Sequence, residues 1–305
     1  MRRVVLAALI IIAFLSAAGG AATYKPRLVV LNGVTGLGLA RLLDDSDYEV
    51  EVGKSADVAV ARLNTMGADA AALPVSTAAL LRNKGTDIRL AAITNYGSLY
   101  IVSSKAGADL LSTATSFLGV PGKGTMPDVI LDILLSLKKV KGSGIQYYSS
   151  PVELANLLAA GRIQSALLPE PWVSQALSAN KELRIAYDLQ AGWKSAYGAD
   201  YPLSCVVATE SFIRDHPAEY AKLLSDIEQS VIWVTGNPGE AALIAEGRLA
   251  MSKASTEAAI PRCNFRYLDG ADARLSALSF YERAIVSSAA LIGGKLPDEA
   301  FYKGR

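Results

Sequence analysis

From position 27 onward, short apolar runs alternate with segments that carry helix punctuation. The runs at 28–31, 48–52, 70–73, 88–93, 99–103, 117–120, 145–148, 166–168, 183–187 and 203–209 read as strands. Several are continuous rather than alternating, which suits strands covered on both faces. Between them, Ser55 is placed to cap a helix that stops before Gly67. Ser150-Pro151-Val152-Glu153 combines a capping box with Pro at the first helical position, and Gly161 marks the stop. Asn237-Pro238-Gly239-Glu240 repeats the arrangement, with Gly247 as the expected end of that segment. Strand–helix alternation predicts an α/β fold with mainly parallel sheets, and helical signals dominate after Thr209.

Two stretches break the alternation. Residues 93–100 join two strand-like runs through Gly97 with no helix between, and 191–202 is aromatic and polar without a clear period. If the chain leaves one lobe near 97 and returns near 203, the lobes are 24–97 plus 203–305, and 98–202. The length agrees, since 305 residues exceed what one core of about 100–200 residues uses.

Ahead of this body, Arg2 and Arg3 precede an uncharged apolar run at 4–15 and then the small residues 16–22. That is the pattern of an export signal, too short for a comfortable span of a roughly 30 Å hydrocarbon core. Cleavage after Ala18 or after Ala22 both fit, and retention as an anchor stays open. No Cys follows the run, so a lipid anchor on an N-terminal Cys is not available. The expected location is the periplasm or the outer face of the cytoplasmic membrane. Such a compartment permits a Cys205–Cys263 disulfide; two buried thiols are the alternative.

Charge and composition narrow the function. Lys and Arg number 30 against 29 Asp and Glu, and loss of Arg2 and Arg3 with the leader leaves 28 against 29. A near-neutral chain without a basic block is a poor match for nucleic acid. One His and two distant Cys argue against a His- or Cys-based metal site, and no cofactor is expected. Gly36-Leu37-Gly38 lacks the third glycine of a dinucleotide loop, and Gly122-Lys123-Gly124-Thr125 places Gly where a Walker loop needs Ser or Thr. His216, before Pro217, reads as a neighbour of a helix cap, and no Gly-x-Ser-x-Gly elbow occurs.

Ligands of open α/β sheets collect beyond the carboxyl ends of strands. There the chain carries Asn32, Gly33 and Thr35, then Ser76 and Thr77, then Lys123, Gly124 and Thr125, then Ser149 and Ser150, then Glu170 and Trp172. Free amides at helix starts suit an anionic or carbonyl group, with Lys123 either an adjacent cation or a solvated loop residue. Glu170, flanked by prolines, is either an acid for proton transfer or a bond across the lobes. Aromatic residues, 7% of the chain, gather nearby as Tyr96, Tyr100, Tyr147, Tyr148, Trp172, Trp193, Tyr197 and Tyr201. They would suit a ring-bearing ligand or pack the core.

Val34-Thr35-Gly36-Leu37-Gly38-Leu39-Ala40, Pro121-Gly122-Lys123-Gly124-Thr125-Met126-Pro127-Asp128 and Leu167-Leu168-Pro169-Glu170-Pro171-Trp172 resemble periplasmic solute-binding proteins of ABC importers, of the nitrate/sulfonate/taurine and thiamine-precursor type. Ile260-Pro261-Arg262-Cys263-Asn264 and Gly293-Gly294-Lys295-Leu296-Pro297-Asp298 resemble the same group. The resemblance implies a type II two-lobed fold with two hinge crossings. It also implies a monomer that closes on a small-molecule solute and hands it to an ABC permease and its ATPase. It places cleft loops at 32–35, 76–77, 96–97, 123–125 and 170–172. With Tyr148 from the aromatic reading, the expected ligand contacts are Asn32, Gly33, Thr35, Ser76, Thr77, Tyr96, Gly97, Lys123, Gly124, Thr125, Tyr148, Glu170 and Trp172. Enzymes of similar fold, a menaquinone-pathway dehydratase and a pyrimidine-forming thiamine enzyme, are the alternative, against which the leader argues because their substrates are cytoplasmic. A solute sensor for a membrane kinase is a third reading.

Overall fold

The computed structural model describes residues 24–304, so the leader and its cleavage alternatives lie outside the described residues. The chain first forms β1 (Arg27–Leu31), α1 (Val34–Leu37), β2 (Glu49–Gly53), α2 (Ala56–Asn64), β3 (Ala70–Pro74), α3 (Val75–Asn83) and β4 (Ile88–Tyr96). Next come β5 (Leu99–Ser103), α4 (Leu110–Ser116), β6 (Leu118–Pro121), α5 (Met126–Leu137), β7 (Ile145–Tyr148), α6 (Pro151–Ala159), β8 (Ser165–Pro169), α7 (Trp172–Ala179), β9 (Arg184–Asp188) and α8 (Leu189–Tyr197). The last part holds β10 (Pro202–Thr209), α9 (Glu210–Asp215), α10 (Pro217–Gly236), α11 (Pro238–Leu249), α12 (Lys253–Ala259), β11 (Phe265–Asp269) and α13 (Gly270–Ser288).

Two sheets result, ordered β11-β4-β10-β3-β1-β2 and β7-β6-β8-β5-β9. Every apolar run read as a strand is one. Interior strands such as β3 are buried along their length, whereas edge strand β2 turns Glu49 and Glu51 outward. The sheets are mixed rather than mainly parallel. β1 runs parallel to β2 and β3, and β6 to β7 and β8, but β5, β9, β10 and β11 are antiparallel to their neighbours. β5 and β10 enter their sheets directly from the other sheet's unit. No crossover helix returns the chain to the starting edge, so the strand direction inverts.

Three local expectations change. β11 interrupts the helical C-terminal part, pairing with β4 through a five-residue stretch that alternates Phe265, Arg266 and Tyr267. Most of 191–202 is α8, because Asp188 accepts from the amides of Gln190 and Ala191 and so caps it, while Trp193 packs in the core. Gly198, at φ +73°, ends that helix, leaving only 198–201 as the connection. α11 continues past Gly247 to Leu249, whose burial holds the extra turn.

The chain therefore passes between the sheets at Gly97-Ser98 and at 198–201. The core does not stop at this boundary. α13 packs on β4 and β10 on one side and on α5 on the other. Trp193 of α8 lies 6.0 Å from Phe280 of α13, ring centre to ring centre. α5 presents Met126, Val129, Ile130, Ile133 and Leu134 on one buried stripe, the helical spacing that such a shared core needs.

Candidate functional site

β4 ends at Tyr96 and β5 begins at Leu99, while Leu99 pairs with Pro169 and Pro202 with Tyr96. Consequently the carboxyl ends of β1, β3 and β4 in one sheet, and of β6, β7 and β8 in the other, are the ends turned toward the crossings. The loops expected to carry ligand chemistry are thus gathered at one junction. Ser76 at the start of α3 meets Met126 at the start of α5, with Oγ 3.9 Å from the sulfur. Two helix starts from different sheets converge there, and neither has a side-chain cap. Their first amides lack intrahelical acceptors, the condition under which a helix start attracts an anion or carbonyl oxygen.

The expected contacts fall into three groups. Asn32 is exposed, and Gly33 sits at φ +94° beside open space. Thr35 Oγ1 is 2.8 Å from Ser204 Oγ of β10. Ser76 is buried and Thr77 half-buried on α3. Lys123 is exposed, its ammonium 5.9 Å from the centre of the Tyr147 ring. The amide of Gly124 donates to Asp128 at 2.8 Å, and Thr125 Oγ1 reaches the carbonyl oxygens of Pro121 and Gly122, each at 2.8 Å. These residues occupy the facing loop ends.

Tyr96 and Gly97 lie at the first crossing between the sheets. Tyr96 is buried, accepts from Ser276 Oγ at 3.2 Å and carries the Arg266 guanidinium 3.9 Å above its ring. Gly97 has φ +59°, and a Cβ there would stand 2.7 Å from Cβ of Gln190. Tyr148 and Trp172 pack half-buried against the cluster of Leu154, Leu158, Leu168 and Val173. Each ring is partly covered by this cluster and partly accessible.

Glu170 takes the second of its two expected roles, though the partner is a side chain. Its carboxylate is buried. Oε1 accepts from Arg262 Nε at 2.5 Å, and Oε2 from the amide and hydroxyl of Ser174 at 3.0 and 2.9 Å. Arg262 Nη2 also donates to Ser174 Oγ at 2.6 Å. Burial raises the carboxyl above its usual range, against the downward pull of Arg262 and Ser174. Arg262 lies 92 residues away in the chain, so no local pattern announces the pair. Ser174 and Arg262 are the functional candidates that sequence reasoning missed as such. Cys205 and Cys263 are both free and buried, so the thiol alternative holds.

Among the described residues, no group of three or more His, Cys, Asp or Glu is placed to hold a metal ion. His216 stacks on Tyr24 with ring centres 3.5 Å apart, at the amino end of β1. A groove of about 290 Å³ lined by Tyr24, Asp47, Tyr48 and Lys222 opens at that same end, the far end of β1 from Asn32.

No family model and no curated protein matches the sequence. Solved structures do. An ABC transporter structure from Parabacteroides distasonis is similar at TM-score 0.80 and 26% identity, over 91% of this chain and 98% of that one. The periplasmic aliphatic sulphonate binding protein SsuA of Escherichia coli is similar at TM-score 0.69 and 13% identity, over 92% of this chain and 91% of that one. The alkanesulfonate-binding protein SsuA of Xanthomonas axonopodis pv. citri, bound to MOPS, is similar at TM-score 0.64 and 13% identity, over 91% and 96%. The chain has the two-lobed α/β fold of the binding proteins that serve ABC transporters.

Proposed function

We propose that this chain is the extracytoplasmic solute-binding component of an ABC importer. It captures a small anionic or heteroaromatic solute between two lobes, 24–97 plus 203–305 and 98–202, and delivers it to a membrane permease and its ATPase. The observation that carries the reading is the convergence of strand carboxyl ends from both sheets at two adjacent crossings. A guest at that junction touches both lobes only when they are closed, so its binding energy shifts the hinge equilibrium toward closure. The uncapped starts of α3 and α5 favour an anionic or carbonyl group, and exposed Lys123 adds a cation on the same side as α5. Export rests on the leader pattern in residues 1–22.

The protein acts without catalysis in this reading. The enzyme alternative relied on Glu170 as its acid, and that carboxylate is bound by Arg262 and Ser174. Native mass spectrometry of protein purified from its own host tests the proposal by detecting a retained small molecule. Re-addition of that molecule should raise the melting temperature and change the fluorescence of Trp172. Retention of nothing, together with no response to a panel of small anions and heteroaromatic rings, overturns the assignment.

A further inference from the structure

We infer that the Glu170–Arg262 pair is a clasp that holds the two lobes together before any solute binds. The inference rests on the capture reading above and concerns how its site is regulated. Glu170 is fixed to its own lobe, since its amide donates to Ser98 O at 3.0 Å and its carboxylate accepts from the amide and hydroxyl of Ser174. Arg262 arrives from the other lobe, on the short 3-10 turn Ile260–Arg262 between α12 and β11.

The turn is seated on the first crossing from several directions. Tyr100 of β5 donates from its hydroxyl to Arg262 O at 3.0 Å. Cys263 O accepts from Ser98 Oγ at 2.9 Å and from Asn95 Nδ2 at 3.2 Å. α12 packs against α7, and Ala259 and Cys263 pack with Val34 at the loop after β1. One segment therefore touches the floor of the proposed cleft, the hinge and the far lobe together.

Separation of the lobes would break the charge-assisted bonds from Arg262 to Glu170 and Ser174, together with those from Tyr100 and Ser98 to the same turn. Charge-assisted bonds are roughly twice as strong as neutral ones. The pair thus weights the equilibrium toward closure. Apparent solute affinity equals the intrinsic affinity scaled by the fraction of binding-competent molecules, so the clasp tunes affinity without touching solute.

The experiment measures interlobe distance in full-length mature protein dialysed free of solute. Spin labels are placed by Asp57→Cys and Gln146→Cys, both exposed and in different lobes, while native Cys205 and Cys263 are buried. The expected result is a narrow distance distribution in the parent. Arg262→Gln and Glu170→Gln should each move it to longer, broader distances, with Tyr100→Phe giving a smaller shift in the same direction. If Arg262→Gln does not fold, Arg262→Lys carries the test, since it keeps the charge but not the fork onto Glu170 and Ser174. Unchanged distributions in the folded variants overturn the clasp. Because no solute is added, that failure is separate from failure of the transport reading, which is judged by retained solute.

Discussion

The amide of Gly97 donates to the carbonyl of Tyr201 at 3.2 Å, which sets the two crossings side by side. Gly97 is held at φ +59°, and the Gln190 side chain occupies the space a Cβ there would need. Gly97→Ala should cost about 1–3 kcal/mol, from left-handed backbone strain plus the push on Gln190. Urea unfolding checks this, and a loss below 0.5 kcal/mol would mean that the crossing relaxes freely.

Arg27 and Asp69 join the amino ends of β1 and β3. Asp69 accepts from the Arg27 amide at 2.7 Å, from Nε at 3.1 Å and from Nη2 at 2.8 Å. Burial pushes the carboxyl up, but the hydrogen bonds from Arg27 outweigh it and hold the group below its ordinary value of 3.8. A carboxyl lowered in the folded state adds stability that is complete above its unfolded value and is lost as pH falls through the folded one. Asp69→Asn should therefore lower stability by about 1–3 kcal/mol at neutral pH. The gap between parent and variant melting temperatures should close as the pH drops below 3.8. A gap independent of pH contradicts the assignment.

Trp193 fills the space between α8 and α13, against Tyr197, Tyr201 and Phe280. Trp193→Ala should cost about 3–5 kcal/mol, as a large cavity opens where the two units share a core. A calorimetric melt that splits into two transitions would show in addition that this core couples them.

Cys205 and Cys263 are buried and free, and burial raises both thiols above their ordinary range. Neither should react with a thiol reagent in the native protein, and both should react in denaturant without prior reduction. Two equivalents released only after reduction would reveal a disulfide instead.

Lys123 is exposed at the start of the α5 loop, so its replacement should leave the fold intact. On the proposed function, Lys123→Gln weakens an anionic solute about tenfold, the usual scale for losing one charged hydrogen bond. Fluorescence titration with the co-purified solute checks it. Equal affinities in parent and variant would place the solute away from this loop.

The strands and most helix boundaries follow from local residue pattern alone. Runs such as 70–73 and 166–168 are continuous and apolar, and burial on both faces requires that. Capping chemistry is equally local: Ser150 does accept from the Glu153 amide and start α6, as its spacing implies. The same pattern also placed the loops that end up facing one another, because they follow parallel strands.

Other features depend on contacts between remote parts of the chain. Strand direction in β5 and β10 depends on which sheet the chain has just left, a relation that no window of residues contains. Edge strand β11 and the extra turn of α11 exist because Tyr96, Val234 and their neighbours provide partners, not because of intrinsic preference. The fate of Glu170 is the clearest case. Its flanking prolines and strand-end position left it between an acid and a bond across the lobes; a buried charge must be paired, and the fold brings it Arg262 from a distant segment. Local propensity acts over a few residues, whereas the pairing of buried charges and the coverage of apolar faces are settled only when remote parts of the chain meet.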